Sequence, residues 1–453
     1  MWRLVRCLLG AAVAMGPVCA MAAPSPAQTV ELTDAQALAV SDMMLNAGDL
    51  PAAESLLNDI LQSDDVDIRI GALFQLGRVA AMRGNYDTAE RYFLTILKFH
   101  PDMTPVRLEL AQVYMLTGQY GLADFNLRLV LADKNLLPGM ADRVRGLINV
   151  ARQRKNWSVN AGLSIVPDSN INNATGRAQE CINFGFGVMC RPLEQENSGV
   201  GLRYSLGGDY YLRLTDRWGI KNSVHLSAID FATSRYDDYS LYLASGPRYL
   251  MSRGDVNLQP FTQMRWYAGK YYSTVPGLRL DAAYDITRRV SLASGVSYTH
   301  TKYHDGRIND IYRSNEYTAY IQPRYYINSK SFVLAGVSGF YSTATEPSYG
   351  YTGQTYSVGY FGELPLTLTL YARLDLTHTK YHEPQFFIMR DYSLESFRRR
   401  DWTYQAYIRL SSRLLEYQRI YPSISYTYTN RDSNAPAFEF DKHRVEVELN
   451  YRF

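Results

Sequence analysis

From about residue 157 to the C-terminus the chain alternates apolar and polar side chains with a period of two. In the last stretch Val445, Val447, Leu449, Tyr451 and Phe453 alternate with Glu446, Glu448, Asn450 and Arg452. Upstream, Leu366, Leu368, Leu370, Ala372, Leu374 and Leu376 alternate with Thr367, Thr369, Tyr371, Arg373, Asp375 and Thr377. The same pattern runs through Val290, Leu292, Val296 and Tyr298, through Tyr404, Ala406, Ile408 and Leu410, and through Ile424, Tyr426 and Tyr428. Successive side chains of a strand point to opposite faces, so each segment has one apolar and one polar face. Runs of roughly ten to fourteen residues are long enough to cross an outer membrane, which takes about nine to eleven. The pattern predicts an all-β antiparallel transmembrane barrel of about 14 strands over 156–453, closed by the strand that ends on Phe453.

Between Thr33 and about Leu137 the period is helical and the sequence repeats. Gly48, Gly84 and Gly118 are spaced by 36 and 34 residues, and Ala53, Ala89 and Ala123 follow each by five. Leu76-Gly77 and Leu110-Ala111 precede two of the glycines. Small residues there let the helices of a hairpin approach, with Tyr86, Phe93, Tyr114, Tyr120 and Leu127 filling the space around them. Pro101 cannot continue a helix and ends the second unit. This spacing is that of an all-α tetratricopeptide-repeat solenoid, here 23–155, capped by an Arg-rich helix from Gly139 to Arg154. Such a stack offers a concave face to partner proteins and has no catalytic chemistry of its own.

The connections between strands alternate in length. Short turns fall near Asp216, Arg253 to Asp255, Ile286 to Arg288, Asn328 to Lys330 and Leu364-Pro365. Long ones fall at Pro167 to Ser198, His304 to Asn315, Thr343 to Thr352, Tyr381 to Arg400 and Asn430 to Phe438. Barrels of this kind put short turns in the periplasm and long loops outside, which would leave the repeat domain in the periplasm. Arg3, Arg6, the apolar run Cys7 to Met15 and small residues at Ala20 and Ala22 read as a secretory signal peptide over 1–22. The mature chain then keeps only Cys181 and Cys190, most simply a disulfide across a short loop. The 37 tyrosines, nearly all after residue 200, suit the interfacial girdles of a barrel. With 47 basic and 44 acidic residues interspersed, the net charge is +3 and no nucleic-acid face is implied.

Candidate chemistry is sparse. Pro167-Asp168-Ser169-Asn170-Ile171-Asn172 follows the first strand and is rich in residues that bond to nearby backbone, which predicts a tight turn. The hexapeptide Thr299 to His304 recurs as Thr377 to His382. Its two histidines lie roughly 13 Å apart along a strand, so one copy cannot chelate an ion, and no metal or other cofactor is expected. Asp391, Glu395 and Arg398-Arg399-Arg400-Asp401 read as a solvated rim. No Ser/His/Asp arrangement points to an enzyme.

With its Pro167 to Asn172 segment, Arg399-Arg400-Asp401-Trp402, Asp432-Ser433-Asn434 and Phe453, the chain resembles the surface lipoprotein assembly modulator (Slam) family over essentially its whole mature length. The resemblance implies a non-enzymatic translocon of the outer membrane that exports a client surface lipoprotein or related secreted protein. The repeats would receive the client, or a periplasmic chaperone carrying it, and Arg373, Asp375, Gln405 and Arg409 would line the passage. The first and last strands could open to template client β-structure. Outer-membrane lipid and the barrel-assembly machinery are the other expected partners. A polysaccharide export channel and a surface adhesin or host-association factor are the competing readings.

Overall fold

The computed structural model describes residues 3–5, 30–412, 415–417 and 420–452. Almost all of the expected leader, and Phe453, lie outside the described residues. Among the described residues seven helices precede the barrel: α1 (Asp34–Ala47), α2 (Leu50–Ile60), α3 (Val66–Met82), α4 (Tyr86–Phe99), α5 (Thr104–Leu116), α6 (Tyr120–Leu131) and α7 (Pro138–Arg154). Thr33 starts α1 with a capping box, exchanging hydrogen bonds with Gln36. Gly48, Gly84 and Gly118 sit in the α1–α2, α3–α4 and α5–α6 turns at φ of +85°, +80° and +76°, a left-handed conformation that glycine adopts without a steric penalty. Ala53, Ala89 and Ala123 are fully buried, as are Phe93, Tyr114 and Leu127. A Cβ on Gly77 would stand 2.5 Å from Phe93 Cε1, so the missing side chain is what lets that ring lie on α3.

The chain divides into two compact units, one of residues 1–100 and 105–117, the other of 101–104 and 118–453. Helices α6 and α7 therefore belong with the strands. There, Arg128 and Arg152 both bond to Asp285. Burial opposes the Arg128 charge, but the Asp124 and Asp285 carboxylates outweigh it and hold the guanidinium above its ordinary pKa.

The strands are β1 (Trp157–Asp168), β2 (Gly199–Arg213), β3 (Trp218–Phe231), β4 (Asp238–Met251), β5 (Gly254–Tyr267), β6 (Lys270–Asp285) and β7 (Val290–Tyr303). They continue with β8 (Ser314–Asn328), β9 (Ser331–Ala344), β10 (Tyr351–Glu363), β11 (Leu368–Tyr381), β12 (Arg400–Ser412), β13 (Ile420–Ser433) and β14 (Phe440–Arg452). All fourteen pair antiparallel with their neighbours in chain order, and β14 returns to β1 to close the barrel. Apolar residues of one parity face outward; Leu374 is 63% exposed and Val358 62%. On β8, Tyr317 and Tyr325 flank Ile321 on that outer face and stand about 27 Å apart along the strand, roughly 20 Å of height at the usual strand tilt of about 40°, so the two rings bracket most of an apolar band.

One end of the barrel carries the start of β1 and the end of β14 together with the short turns, and is called the turn end. The other is the loop end. It contains one connection shorter than the sequence suggests: β5 and β6 join through Ala268 and Gly269 alone, at φ of 51° and 73°. Positive φ at both central residues is the twist-matched hairpin geometry. Two further two-stranded hairpins, Gln179–Asn183 with Val188–Pro192 and Gln385–Ile388 with Leu394–Phe397, lie in the loops.

Candidate functional site

The residues singled out in the sequence meet at the loop end of β12, β13, β14 and β1. Pro167 and Asp168 are still in β1, so the turn begins two residues later than the composition suggests. Asp168 Oδ1 accepts from the Asn170 amide at 3.0 Å, the local bond expected of an Asp-led turn. Its other oxygen pairs with Lys442 Nζ on β14 at 2.9 Å, nearly out of water. The Ser169 amide donates to His443 O at 2.9 Å, and the His443 amide donates back to Ser169 Oγ at 2.9 Å. Asn170 is fully buried. Its Nδ2 donates to Ala174 O at 2.9 Å and to Asp441 O at 3.2 Å. Its Oδ1 accepts from the Ala174 amide at 2.9 Å. Ile171 and Asn172 tie the start of this loop to its far side, at Asn197 and Gln195.

Two strands further round, Arg399 and Asp401 are buried rather than solvated, which corrects the rim expectation. Arg399 donates to both Asp401 oxygens, to the nearer at 2.7 Å, and to Tyr381 Oη at 2.7 Å. Its guanidinium also stacks 3.7 Å from the Phe438 ring centre. Ser433 Oγ donates to Asp401 at 2.7 Å and accepts from the Ala435 amide. Asn434 bonds the backbone of Arg398 and Arg400. A charge run can be burial-competent when the opposite charge stands two residues away on the same strand face and aromatics cover it. The 434–439 loop so anchored accepts from Thr175 Oγ1 at Pro436 O and so touches the loop that Asn170 heads.

Beneath this network the β1–β14 ladder has a lapse. Pairing is formed at Asp168 with Arg444 and resumes at Ile165 with Val447, leaving Val445 and Glu446 unpaired. In an antiparallel ladder alternate residues direct their backbone groups to the same neighbour, and Ser169 directs its amide to β14. Pro167, two residues back, therefore faces β14 with no N–H to give. The closing seam is weakened in its loop-end half by that proline and held beyond it by side chains.

The closing-strand residues Val445, Val447, Leu449 and Tyr451 share the outward parity of β14, with Val447 and Leu449 exposed. Arg373, Asp375, Gln405 and Arg409 share the opposite, polar parity, and Asp375 pairs across the ladder with Gln405. Arg373 bonds Asp375 and Ser357. Arg409 reaches Glu448 at 2.9 Å and Asn450 at 2.5 Å, crossing β13 to the closing strand. Asn160, Ser205, Arg409, Tyr421 and Glu448 border one polar cavity beside the seam.

Cys181 and Cys190 are bonded to one another, opposite in register across their hairpin. The tip beyond them bears Phe184 and Phe186 stacked at 5.8 Å, and Phe186 is 92% exposed. The hairpin reaches the other loop hairpin through the Asn183 amide and Tyr392 O. The duplicated hexapeptides stand on β7 and β11 with three strands between. In each, the last histidine meets a threonine 30 residues earlier, His304 with Thr274 and His382 with Thr352, both at 2.8 Å. Each is thus engaged by its own neighbouring strand. Among the described residues no three His, Cys, Asp or Glu side chains group as metal ligands.

Lys442, His443 and Asp441 were not legible as site residues, since nothing in a strand pattern says which loop a strand end will meet. The same holds for Asp285, Arg128 and Arg152. The Arg-rich stretch from Gly139 to Arg154, which contains Arg152, was the visible signal.

A closed antiparallel barrel with an apolar outer band, aromatic girdles and a polar inner wall is an outer-membrane β-barrel. The family model for the surface lipoprotein assembly modifier matches residues 157–453. The chain belongs to that family. A surface lipoprotein assembly modifier of Pasteurella multocida is 22% identical over 400 residues, covering 83% of this chain and 75% of its own. A hemophilin secretion modulator of Acinetobacter baumannii is 22% identical over 402 residues, covering 84% and 78%. Among solved structures, the outer membrane channel DcaP of Acinetobacter baumannii aligns at a TM-score of 0.35 with 12% identity, over 66% of this chain and 97% of that one.

Proposed function

We propose that this chain is an outer-membrane translocon that delivers a client lipoprotein, or a related secreted protein, to the cell surface or medium. Family membership over the entire barrel is the observation that carries the reading. The hemophilin relative, named for secretion, supports including secreted clients. In this reading the turn end, with α6 and α7, faces the periplasm and the long loops face outward. The helices receive the client or its chaperone. The polar wall of Arg373, Asp375, Gln405 and Arg409 lines the route, and the β1–β14 seam, weakened at Pro167, is where the barrel parts. No step calls for a cofactor or for bond-making chemistry.

The test compares cells with and without the chain by proteomics of the medium and of proteins shaved from the surface. Loss of one protein from the outside with its accumulation in the periplasm is the expected result and identifies the client. If all exported proteins stay in place while surface carbohydrate or host-cell binding changes, the translocon reading fails.

A further inference from the structure

Close to the turn end the inner wall of the barrel carries an apolar patch. Outward residues on β8 are Tyr317, Ile321 and Tyr325, on β9 Val337 and Tyr341, and on β10 Tyr356, Val358 and Tyr360, all exposed. The opposite parity therefore points Tyr326, Phe332, Leu334 and Phe361 into the barrel close to the turn end. Phe332 stacks on Phe361 with centroids 4.7 Å apart, and Tyr326 packs on Phe332 at 5.5 Å. This apolar patch is not bare. Leu129 and Ala132, both fully buried, pack on it together with Phe125, whose ring meets Phe361 edge-on at 5.5 Å. Helix α6 is thus seated in the mouth of the barrel, with its apolar face on the inner wall.

What holds it there besides the patch is ionic and placed at one residue. Asp285, at the end of β6, has the inward parity, opposite that of the exposed Leu278, Leu280 and Tyr284. It receives Arg128 Nη1 from α6 at 2.5 Å and Arg152 from α7. Arg128 is in turn braced by Asp124 at 2.8 Å. Packed on α7 and held to the wall by one apolar face and one carboxylate, α6 can leave the wall together with α7 as a unit, unlike a strand, whose backbone bonds run to both neighbours.

We infer that α6 is a resident plug, bolted by Asp285, and that its apolar face occupies the wall patch on which an apolar, aromatic-bearing segment of the exported chain seats when the helix is displaced. The proposal rests on the translocon reading for its second half only. A patch of this chemistry facing a wet lumen must be covered by something. The occupant present at rest defines what can replace it: a segment with its own aromatic and aliphatic face.

The test uses the full-length protein in planar bilayers, with potassium conductance as the readout, and the same variants in cells. Wild type is expected to stay mostly closed, and Asp285→Asn to raise the open time at least threefold. Phe125→Cys with Phe361→Cys, bridged by a reducible bis-thiosulfonate spacer, is expected to stay shut until reductant is added; Cys181 and Cys190 are already bonded, and wild type with reductant is the control. Conductance unchanged by Asp285→Asn, or openings that persist in the bridged protein, would overturn the plug. In cells, the bridged protein is expected to stop export of the protein lost on deletion, and reductant to restore it. Undiminished export by the bridged protein would overturn the seating of the client on the patch. If deletion removes no protein from the surface, the translocon reading fails, and conductance still decides whether α6 is a plug.

Discussion

Asn170 offers a sharp test of whether side chains hold the seam. Replacing it with alanine removes three hydrogen bonds at a fully buried position: two donated by Nδ2 to Ala174 O and Asp441 O, and one accepted from the Ala174 amide. A typical bond contributes about 1 kcal/mol net, and a buried group left unpaired loses about 1–3 kcal/mol. The loss should be about 3 kcal/mol, on the order of a hundredfold in the local opening constant. The opening is local because β1 and β14 pair independently from Ile165 and Val447 toward the turn end. Hydrogen exchange by mass spectrometry, on protein in nanodiscs, should show the amides of Ser169 and His443 losing protection by about that factor while β6 to β8 keep theirs. Asn170→Asp should be no milder at neutral pH, since a carboxylate oxygen then faces two carbonyl oxygens. Unchanged exchange at Ser169 and His443, or loss of protection spread evenly round the barrel, would refute the reasoning.

Three further outcomes are expected. Leu163 and Leu449 are opposite in register, so cysteines at both positions should bridge β1 to β14; bridged cells should lose export, and export at the wild-type level would dispose of seam opening. Gly77→Ala puts a methyl into the Phe93 ring and should destabilise α3 and α4 by about 1–3 kcal/mol, read as faster amide exchange there with the barrel unaffected. Burial raises the pKa of Glu109 on α5, a shift that Arg78 partly opposes. Its protonated form is favoured by folding, so the contribution is present below the unfolded value of 4.5 and is lost as pH rises through the folded value. Glu109→Gln should therefore slow exchange in α5 at neutral pH and flatten its pH dependence, and an unaltered pH profile would count against the burial argument.

How far the sequence carried the structure follows from what each feature depends on. The strand faces were legible because lipid on one side and water on the other impose period two on residues near in sequence: Leu374 beside Asp375, Val447 beside Glu448. The hairpin glycines were legible for a similar reason, since a left-handed turn needs a particular residue at a particular place. The Ala268–Gly269 turn was missed because alanine carries no turn signal, and its positive φ is imposed by the strands it joins. The segment Pro167 to Asn172 was visible as a turn but not as a clasp, because its partners, Lys442 and His443, are more than 270 residues away. Arg399 and Asp401 looked solvated because charge alone does not show that Ser433, Tyr381 and Phe438 converge on the pair.

Backbone pairing alone would close this barrel evenly, and most strands meet over their full length. The ladder lapses beside a proline at four seams, β4–β5, β6–β7, β8–β9 and β14–β1, and in the last a single pair, Asp168 with Arg444, lies beyond the lapse, the rest of the join at the loop end being made by Asp168, Ser169 and Asn170, in good part through side-chain bonds. A bond of that kind can be exchanged for one to another chain without unfolding a strand. At the opposite end the inner wall is covered by a helix rather than by strand side chains, and its bolt is one carboxylate. In the translocon reading the closing seam and the helix-covered wall are two places where a passing chain would need the barrel to yield, and each can be altered while the other is left intact. If Asn170→Ala speeds exchange at the seam without changing conductance, and Asp285→Asn opens the pore without changing exchange at Ser169, the two devices are independent steps. If either substitution moves both readouts, the plug and the seam are coupled through the wall they share.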